Sequence, residues 1–197
     1  MRRDEALAVL RRSIRRADIV VAVYQALFDW LALGPRDLDY VSTGAMGQAS
    51  THGLGLALAC PERRVIVFDG DGSLLMNLGS LATVADARPA NFWHFVFFNG
   101  TYEVNGAHPI PAARHVDFPA MALACGYRGA FQFDDVDRLE AGLPAALAAS
   151  GPLLIELRVE PGKVSPRDYE YIHSAEARSR FRKALNSGVV TDRPSPR

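Results

Sequence analysis

Little in this 197-residue chain is extreme, and each shortage removes a class of protein. Net charge is missing: 22 basic residues stand against 22 acidic ones, so no global field draws the chain to nucleic acid or to an anionic membrane. An anion would have to be held by a local site. Long apolar runs are missing too, and none reaches the roughly 18 residues needed to cross a bilayer. The opening stretch MRRDEALAVLRRSIRRAD is basic and amphipathic, without the apolar core and cleavage site of a signal peptide, so a cytoplasmic protein is expected. Without a secretory signal, the glycosylation pattern at Asn99-Gly100-Thr101 can be set aside. Cysteine is scarce: Cys60 and Cys125 sit among small apolar residues with no CxxC spacing, which reads as two buried free thiols. There is no internal repeat and no low-complexity linker.

What is present is the make-up of a globular domain, 49% hydrophobic and 22% charged, at a length that favours one domain with a terminal extension. An amphipathic helix is predicted over 5–16, then a continuous apolar strand over 18–23 of the kind buried on both faces. Helix 26–33 stops at Gly34-Pro35. A short strand over 40–42 precedes helix 48–59, and 64–68 is the clearest strand. A helix over 74–87, a strand over 91–98 and a polar loop over 99–111 follow. The remainder reads as helix 118–125, strand 127–133, helix 136–149, strand 152–159, a basic amphipathic helix over 169–185 and a frayed tail. Arg178, Arg180, Arg182 and Lys183 surround Phe181 on that last helix, which reads as a solvated basic face before a partner or phosphate contact. Strands and helices alternate, so the fold class is α/β, a doubly wound and mainly parallel sheet with helices on both faces. Ligands of such folds sit beyond the carboxyl ends of the strands.

The polar clusters all begin where a strand ends. In Asp69-Gly-Asp-Gly-Ser73, two glycines flank Asp71 directly after a buried strand, allowing a sharp turn and close approach of a ligand. The following helix would offer N–H groups at Gly72 and Ser73 to a diphosphate oxygen. Asp71 puts a negative charge where those donors invite an anion, a conflict that a divalent cation resolves, because Mg²⁺ takes few protein ligands plus substrate phosphates. A plain helix cap is the bland alternative. A calcium loop would need glycine and glutamate where Leu74 and Ser80 stand, and a dinucleotide fingerprint fails at Leu75 and Leu58. Twenty-six residues (73–98) separate Gly72 from Asn99, which ends the next long strand. If those two strands are neighbours, Asn99 lies beside Asp71, and amide and carboxylate oxygens together suit Mg²⁺.

Gly70-Asp71-Gly72, a spacer of 26 (73–98) and Asn99 together resemble the signature of thiamine-diphosphate (ThDP) enzymes. The resemblance implies that Asp71, Asn99 and the Thr101 carbonyl hold Mg²⁺ on the diphosphate of ThDP. Phe98 stands where the family often has a second asparagine. Gly44-Ala-Met-Gly47 looks like the segment whose bulky side chain, here Met46, wedges the cofactor into its bent form, with Gly44 giving a carbonyl to the aminopyrimidine. The stretch from Ser42 to Ala85 is similar to sulfopyruvate decarboxylase β subunits and the C-terminal part of phosphonopyruvate decarboxylases. With a similarity running over 5–163, a ThDP diphosphate-binding domain is expected at 1–163 and a helical extension at 164–197.

The resemblance also implies what must come from elsewhere. ThDP enzymes activate the cofactor with a glutamate on a pyrimidine-binding domain, for which 197 residues leave no room, and Glu5, Glu62 and Glu103 lack its context. A partner subunit is therefore expected, in a hetero-oligomer of α2β2 form or larger, with an active site at the interface. The implied reaction is decarboxylation of a 2-oxo acid, with the cofactor taking up the electrons left by CO₂. Substrate contacts would come from Tyr102, Glu103 and His108, with Arg114 or His115 as further candidates. Two departures bear on the substrate: Val23-Tyr24-Gln25-Ala26 replaces a glycine- and hydroxyl-containing turn, and His108 stands where relatives tend to carry glutamine. The alternatives are a ThDP- or nucleotide-binding regulatory module without turnover, an acetolactate-synthase-like lyase or carboligase, and a doubly wound structural domain.

Overall fold

A computed structural model describes residues 1–41, 44–160 and 165–187 of the chain. Its strands, in order, are β1 (Ile19–Ala22), β2 (Asp39–Tyr40), β3 (Val65–Gly70), β4 (Phe92–Phe98), the short pair β5 (Thr101–Tyr102) and β6 (His108–Pro109), then β7 (Gly129–Phe133) and β8 (Leu153–Arg158). Six form one wholly parallel sheet in the order β2-β1-β3-β4-β8-β7. β1, β3, β4 and β8 are runs of branched and aromatic residues because both of their faces are covered. Strand order reverses between β1 and β3, which is where a doubly wound sheet opens a crevice at its carboxyl edge.

The helices are α1 (Arg3–Ser13), α2 (Tyr24–Ala32), α3 (Ala49–Ala59), α4 (Asp71–Met76), α5 (Ser80–Ala87), α6 (Phe118–Cys125), α7 (Val136–Ala148), α8 (Tyr169–His173) and α9 (Ala175–Asn186). Alternate strand residues feed two cores. Val20, Ile66, Phe68, Phe95, Phe97 and Ile155 pack on α1, α2 and α7, whereas Ile19, Val21, Val65, Val67, Val96 and Leu154 pack on α3, α5 and α6. Phe68 is completely buried, with its ring edge-on to Trp30, Phe95 and Phe97; burial of such a ring is worth about 1.5–3 kcal/mol. On the other face Gly53 lets α3 lie close, since a Cβ there would come within 2.4 Å of Val67 Cγ2.

The expected elements are present, and the differences have local causes. The helix predicted over 74–87 is two helices: Asn77 leaves helical geometry, and its Nδ2 donates to the Gly47 carbonyl at 2.8 Å. The helix predicted over 169–185 is also divided, because Ser174 accepts from the Ala177 N–H and caps α9. The polar loop over 99–111 contains the antiparallel pair β5–β6 and a 3₁₀ turn, Glu103–Asn105. Cys60 is a buried free thiol as expected, but Cys125 is exposed: it ends α6, while Phe118 and Ala122 are the α6 residues turned into the core. Phe181 and Ala177 bury α9 onto its own chain, with Phe181 edge-on to Tyr40 and Arg180 paired with Asp37. Among the described residues no helix is long and apolar enough to cross a membrane. The proposed domain boundary at 163/164 and the tail from 188 lie outside the described residues.

Candidate cofactor-binding site

β3 and β4 are direct neighbours, with Gly70 opposite Phe97, so the residues that follow them emerge side by side on the carboxyl edge. Asp71 is 2% exposed. Its Oδ2 accepts the N–H groups of Asn99 (3.0 Å) and Gly100 (2.6 Å), and its Oδ1 accepts that of Gly72 (2.7 Å). These bonds clamp the ends of two strands together through one carboxylate. They also use the Gly72 N–H that the sequence offered to a phosphate. Asn99 Oδ1 accepts from the Thr101 N–H at 2.8 Å and the Thr101 hydroxyl at 3.2 Å, which turns the chain back sharply after β4.

Gly72 is required by a neighbour. A Cβ at that position would lie 2.3 Å from Tyr102 Cε1, so the Tyr102 ring rests directly on the GDG turn. Ser73 Oγ accepts the Gly47 N–H at 2.9 Å, while Asn77 holds the Gly47 carbonyl. The peptide after Met46 is thus fastened to both α4 and the break that follows it. Ser73 keeps its hydroxyl proton for a further acceptor.

Around Asp71 lies a cleft of about 490 Å³. Met46, Gly70, Asp71, Gly72, Ser73, Asn99, Thr101, Tyr102 and Glu103 line it, so the structure brings together nine of the thirteen residues singled out from the sequence. Gly44 lies instead on an adjoining cleft of about 340 Å³ shared with α8, and Val23 and Tyr24 form the wall common to both. His108, Arg114 and His115 are exposed and outside both linings. Glu103 faces the cleft with its carboxylate engaged by Arg3.

One polar cluster was not found from the sequence: Arg3 and Gln25, which line this cleft, meet on Asp29 behind it, and Gln25 figured only as part of the departing 23–26 turn. Arg3 Nε meets Asp29 Oδ2 at 2.6 Å, and Gln25 Nε2 donates to Asp29 Oδ1 at 2.7 Å. A signal existed. Arg3 falls on the apolar stripe of α1 with Leu7 and Leu10, and Gln25 and Asp29 are four apart on α2; a polar residue on a buried stripe needs a partner.

Burial pushes the Asp71 carboxyl up from its ordinary value of 3.8 to about 6, against the pull of its three N–H donors, and nearby Glu103 adds to the rise. Among the described residues no arginine, lysine or histidine pairs with it. A buried carboxylate with fixed geometry and no counter-charge is a place for a cation. The amide of Asn99 adds a second hard oxygen, which fits Mg²⁺. No cluster of three His, Cys, Asp or Glu that could hold a metal exists among the described residues, so a metal here would depend on amide and backbone oxygens and on the ligand itself.

Fold and site together define a doubly wound domain able to hold an anionic group through a cation at the β3–β4 edge. Residues 23–157 match the family described as thiamine pyrophosphate enzyme, C-terminal TPP binding domain, and the chain belongs to that family. Its relatives include phosphonopyruvate decarboxylase of Streptomyces viridochromogenes, 40% identical over 91% of this chain and 46% of that one. Another is sulfopyruvate decarboxylase subunit beta of Methanococcus maripaludis, 28% identical over 93% of this chain and 97% of that one. In fold it is similar to benzoylformate decarboxylase from Polynucleobacter necessarius, with TM-score 0.67 and 20% identity over 85% of this chain and 34% of that one. The chain thus spans about half the length of the first of these relatives and nearly all of the subunit.

Proposed function

We propose that the chain is the diphosphate-binding half of a ThDP- and Mg²⁺-dependent decarboxylase of a 2-oxo acid, of the sulfopyruvate or phosphonopyruvate type. The observation that carries this reading is the buried Asp71, paired with no basic side chain among the described residues and locked against Asn99 at the carboxyl edge of the sheet. Asp71, Asn99 and the Thr101 carbonyl would hold Mg²⁺, which would neutralise the diphosphate of ThDP. Ser73 would donate its hydroxyl proton to a diphosphate oxygen, and Gly70 and Gly72 would leave room for close approach. Met46 would support the bent cofactor from below, with Gly44 at its pyrimidine end. When bound, the cofactor supplies an electron sink for the bond to CO₂. The residues of this chain bind, orient and compensate charge.

The activating glutamate is assigned to a partner chain carrying a pyrimidine-binding domain. A relative of matching length named as a subunit, beside a relative about twice as long, supports a divided enzyme. The test is to assemble the chain with such a partner, measure ThDP binding by calorimetry with Mg²⁺, and assay CO₂ release from a panel of 2-oxo acids. Binding and turnover by the pair, both lost in Asp71→Ala, are expected. No binding to the assembled pair, or binding unchanged by the substitution, would sink the proposal. ThDP binding without turnover would favour the regulatory module instead.

One observation favours a different 2-oxo acid over the same chemistry. Tyr24 stands in the wall of both clefts with φ +46°, where the resemblance implies a smaller turn. Decarboxylation of a 2-oxo acid other than sulfopyruvate or phosphonopyruvate is therefore the second reading, and the same panel separates the two.

A further inference from the structure

The Arg3 side chain is only 6% exposed, and its guanidinium lies between two carboxylates from different parts of the chain. Its Nε meets Asp29 Oδ2 of α2 at 2.6 Å, and its NH1 pairs with Glu103 Oε2 in the 3₁₀ turn between β5 and β6. Asp29 is itself fixed, since its Oδ1 accepts from Gln25 Nε2 at 2.7 Å and from the Ser165 N–H at 3.3 Å. Arg3 therefore joins a rigid part of the domain, α1 and α2, to the turn two residues beyond Thr101.

The ladder of that turn is short, with the Ala107 N–H on the Tyr102 carbonyl and the Ile110 N–H on the Gly100 carbonyl beside it. β5 and β6 pair over only Thr101↔Pro109 and Tyr102↔His108, and β6 is exposed along its length. A two-stranded ribbon of this size is marginal alone and must be held from outside. Desolvating an ion pair is costly, and a pair that served only stability would be replaceable by apolar contacts. Here the pair ends one residue after Tyr102, whose ring covers Gly72, and two after Thr101, whose backbone is bonded to Asn99.

We propose that Arg3 and Glu103 are positioning residues: their ion pair fixes the loop carrying Thr101 and Tyr102 against the GDG turn, and Glu103 is neither an acid–base group nor a substrate contact. The functional consequence rests on the cofactor-site reading above; the tether itself does not. An arginine from within the fold already pairs with the Glu103 carboxylate and fixes its direction.

Hydrogen exchange on the full chain without cofactor tests the tether directly. Glu103→Gln should speed exchange of amides 99–110 by about tenfold or more, with Arg3→Lys intermediate and the central strands unchanged. Arg3→Met would leave two carboxylates buried without their cation and so serves only in combination with Glu103→Gln, where it should add little. Unchanged exchange in both Glu103→Gln and Arg3→Lys would overturn the tether. Titration of Mg²⁺ into the assembled enzyme at saturating ThDP gives the second readout. Mg²⁺ affinity should fall about 10–100-fold in Glu103→Gln, with the loss appearing in the Mg²⁺ requirement and the pH profile retained. A large fall in kcat with unaltered Mg²⁺ affinity and an altered pH profile would make Glu103 catalytic and overturn the assignment. If the wild-type complex binds neither ThDP nor Mg²⁺, the cofactor reading fails, and the exchange experiment still decides the tether.

Discussion

Two strand ends face each other across the crevice, and they were built under different constraints. At the end of β3, Gly70-Asp71-Gly72 meets its neighbours by backbone hydrogen bonds and by the absence of side chains: Asp71 grips three N–H groups, and Gly72 yields to the Tyr102 ring. After β1, Tyr24 takes a left-handed φ of +46° with a large side chain, and Gln25 buries an amide whose Oε1 has no partner among the described residues. The first end has one geometry that works and reads as a motif. The second carries strain and an orphaned acceptor, which a fold keeps where something besides stability is being selected. On the proposed function, the contrast separates the end that would bind the cofactor from the end that would choose the substrate.

Removing the Asp71 carboxylate is the most severe way to break the comparison. Asp71→Ala loses the proposed cation ligand and the clamp on Asn99 and Gly100 together, so Mg²⁺-dependent ThDP binding should fall at least about 100-fold in calorimetry. Asp71→Asn, which keeps the shape, should lose most of the same affinity. Retention of affinity in Asp71→Asn would move the metal elsewhere.

The titration of Asp71 gives the next largest effect, and its sign is opposite to that of a salt-bridged carboxylate. Its folded pKa is raised, so its stabilising contribution is complete below about 3.8, the unfolded value, and is lost as pH rises through about 6. Across that window the cofactor-free chain should lose about 3 kcal/mol relative to Asp71→Asn, measured by urea unfolding at a series of pH values. Mg²⁺ reverses the preference because it binds the ionised form. Affinity for Mg²⁺ with ThDP should therefore rise with pH up to about 6, by as much as about tenfold per unit, with proton release seen in buffers of different ionisation enthalpy. Binding independent of pH between 5 and 7 would show that Asp71 is ionised before the metal arrives.

Gly72→Ala tests whether Tyr102 or the ligand dictates the glycine. The added methyl would meet the Tyr102 ring at 2.3 Å, and relief of that overlap should cost about 1–3 kcal/mol in thermal unfolding of the cofactor-free chain. In a Tyr102→Ala background the same change should cost under about 1 kcal/mol. An equal cost in both backgrounds would remove Tyr102 as the cause.

The two ends also differ in how far they could be read in advance. The sheet was legible because strands buried on both faces are written as unbroken runs such as Phe92–Phe98, and the β3 end was legible because glycine beside aspartate has few reasons to follow such a run. The breaks at Asn77 and Ser174 were not, since each depends on a side chain meeting a backbone group, the remote Gly47 carbonyl in one case and the Ala177 N–H in the other. The Arg3–Asp29–Glu103 cluster was missed because its members lie 26 (29 − 3) and 74 (103 − 29) residues apart, and only the placement of Arg3 on an apolar stripe hinted at it. His108 was favoured as a neighbour of Asn99 in sequence, but the β5–β6 turn carries it outward.

Tyr24→Gly is the mildest change and the one that most sharpens the comparison. Two costs oppose one gain. Removing a half-buried ring packed against the apolar cluster that holds Val23 and Leu74 should cost about 1–2 kcal/mol, and glycine adds a further cost of about 0.5–1 kcal/mol through unfolded-state entropy. Release of a left-handed tyrosine returns about 1–2 kcal/mol. The terms nearly cancel, so chemical unfolding should place Tyr24→Gly within about 1 kcal/mol of the parent, a small loss for deletion of so large a side chain. The wall between the 490 Å³ and 340 Å³ clefts would be thinned at the same time. In the assembled enzyme kcat/KM should then shift among 2-oxo acids of different size while ThDP affinity stays within about threefold, because the β3 end is untouched. A destabilisation of about 3 kcal/mol with unchanged selectivity would reduce Tyr24 to a core residue and leave the β1 end without a part in substrate choice.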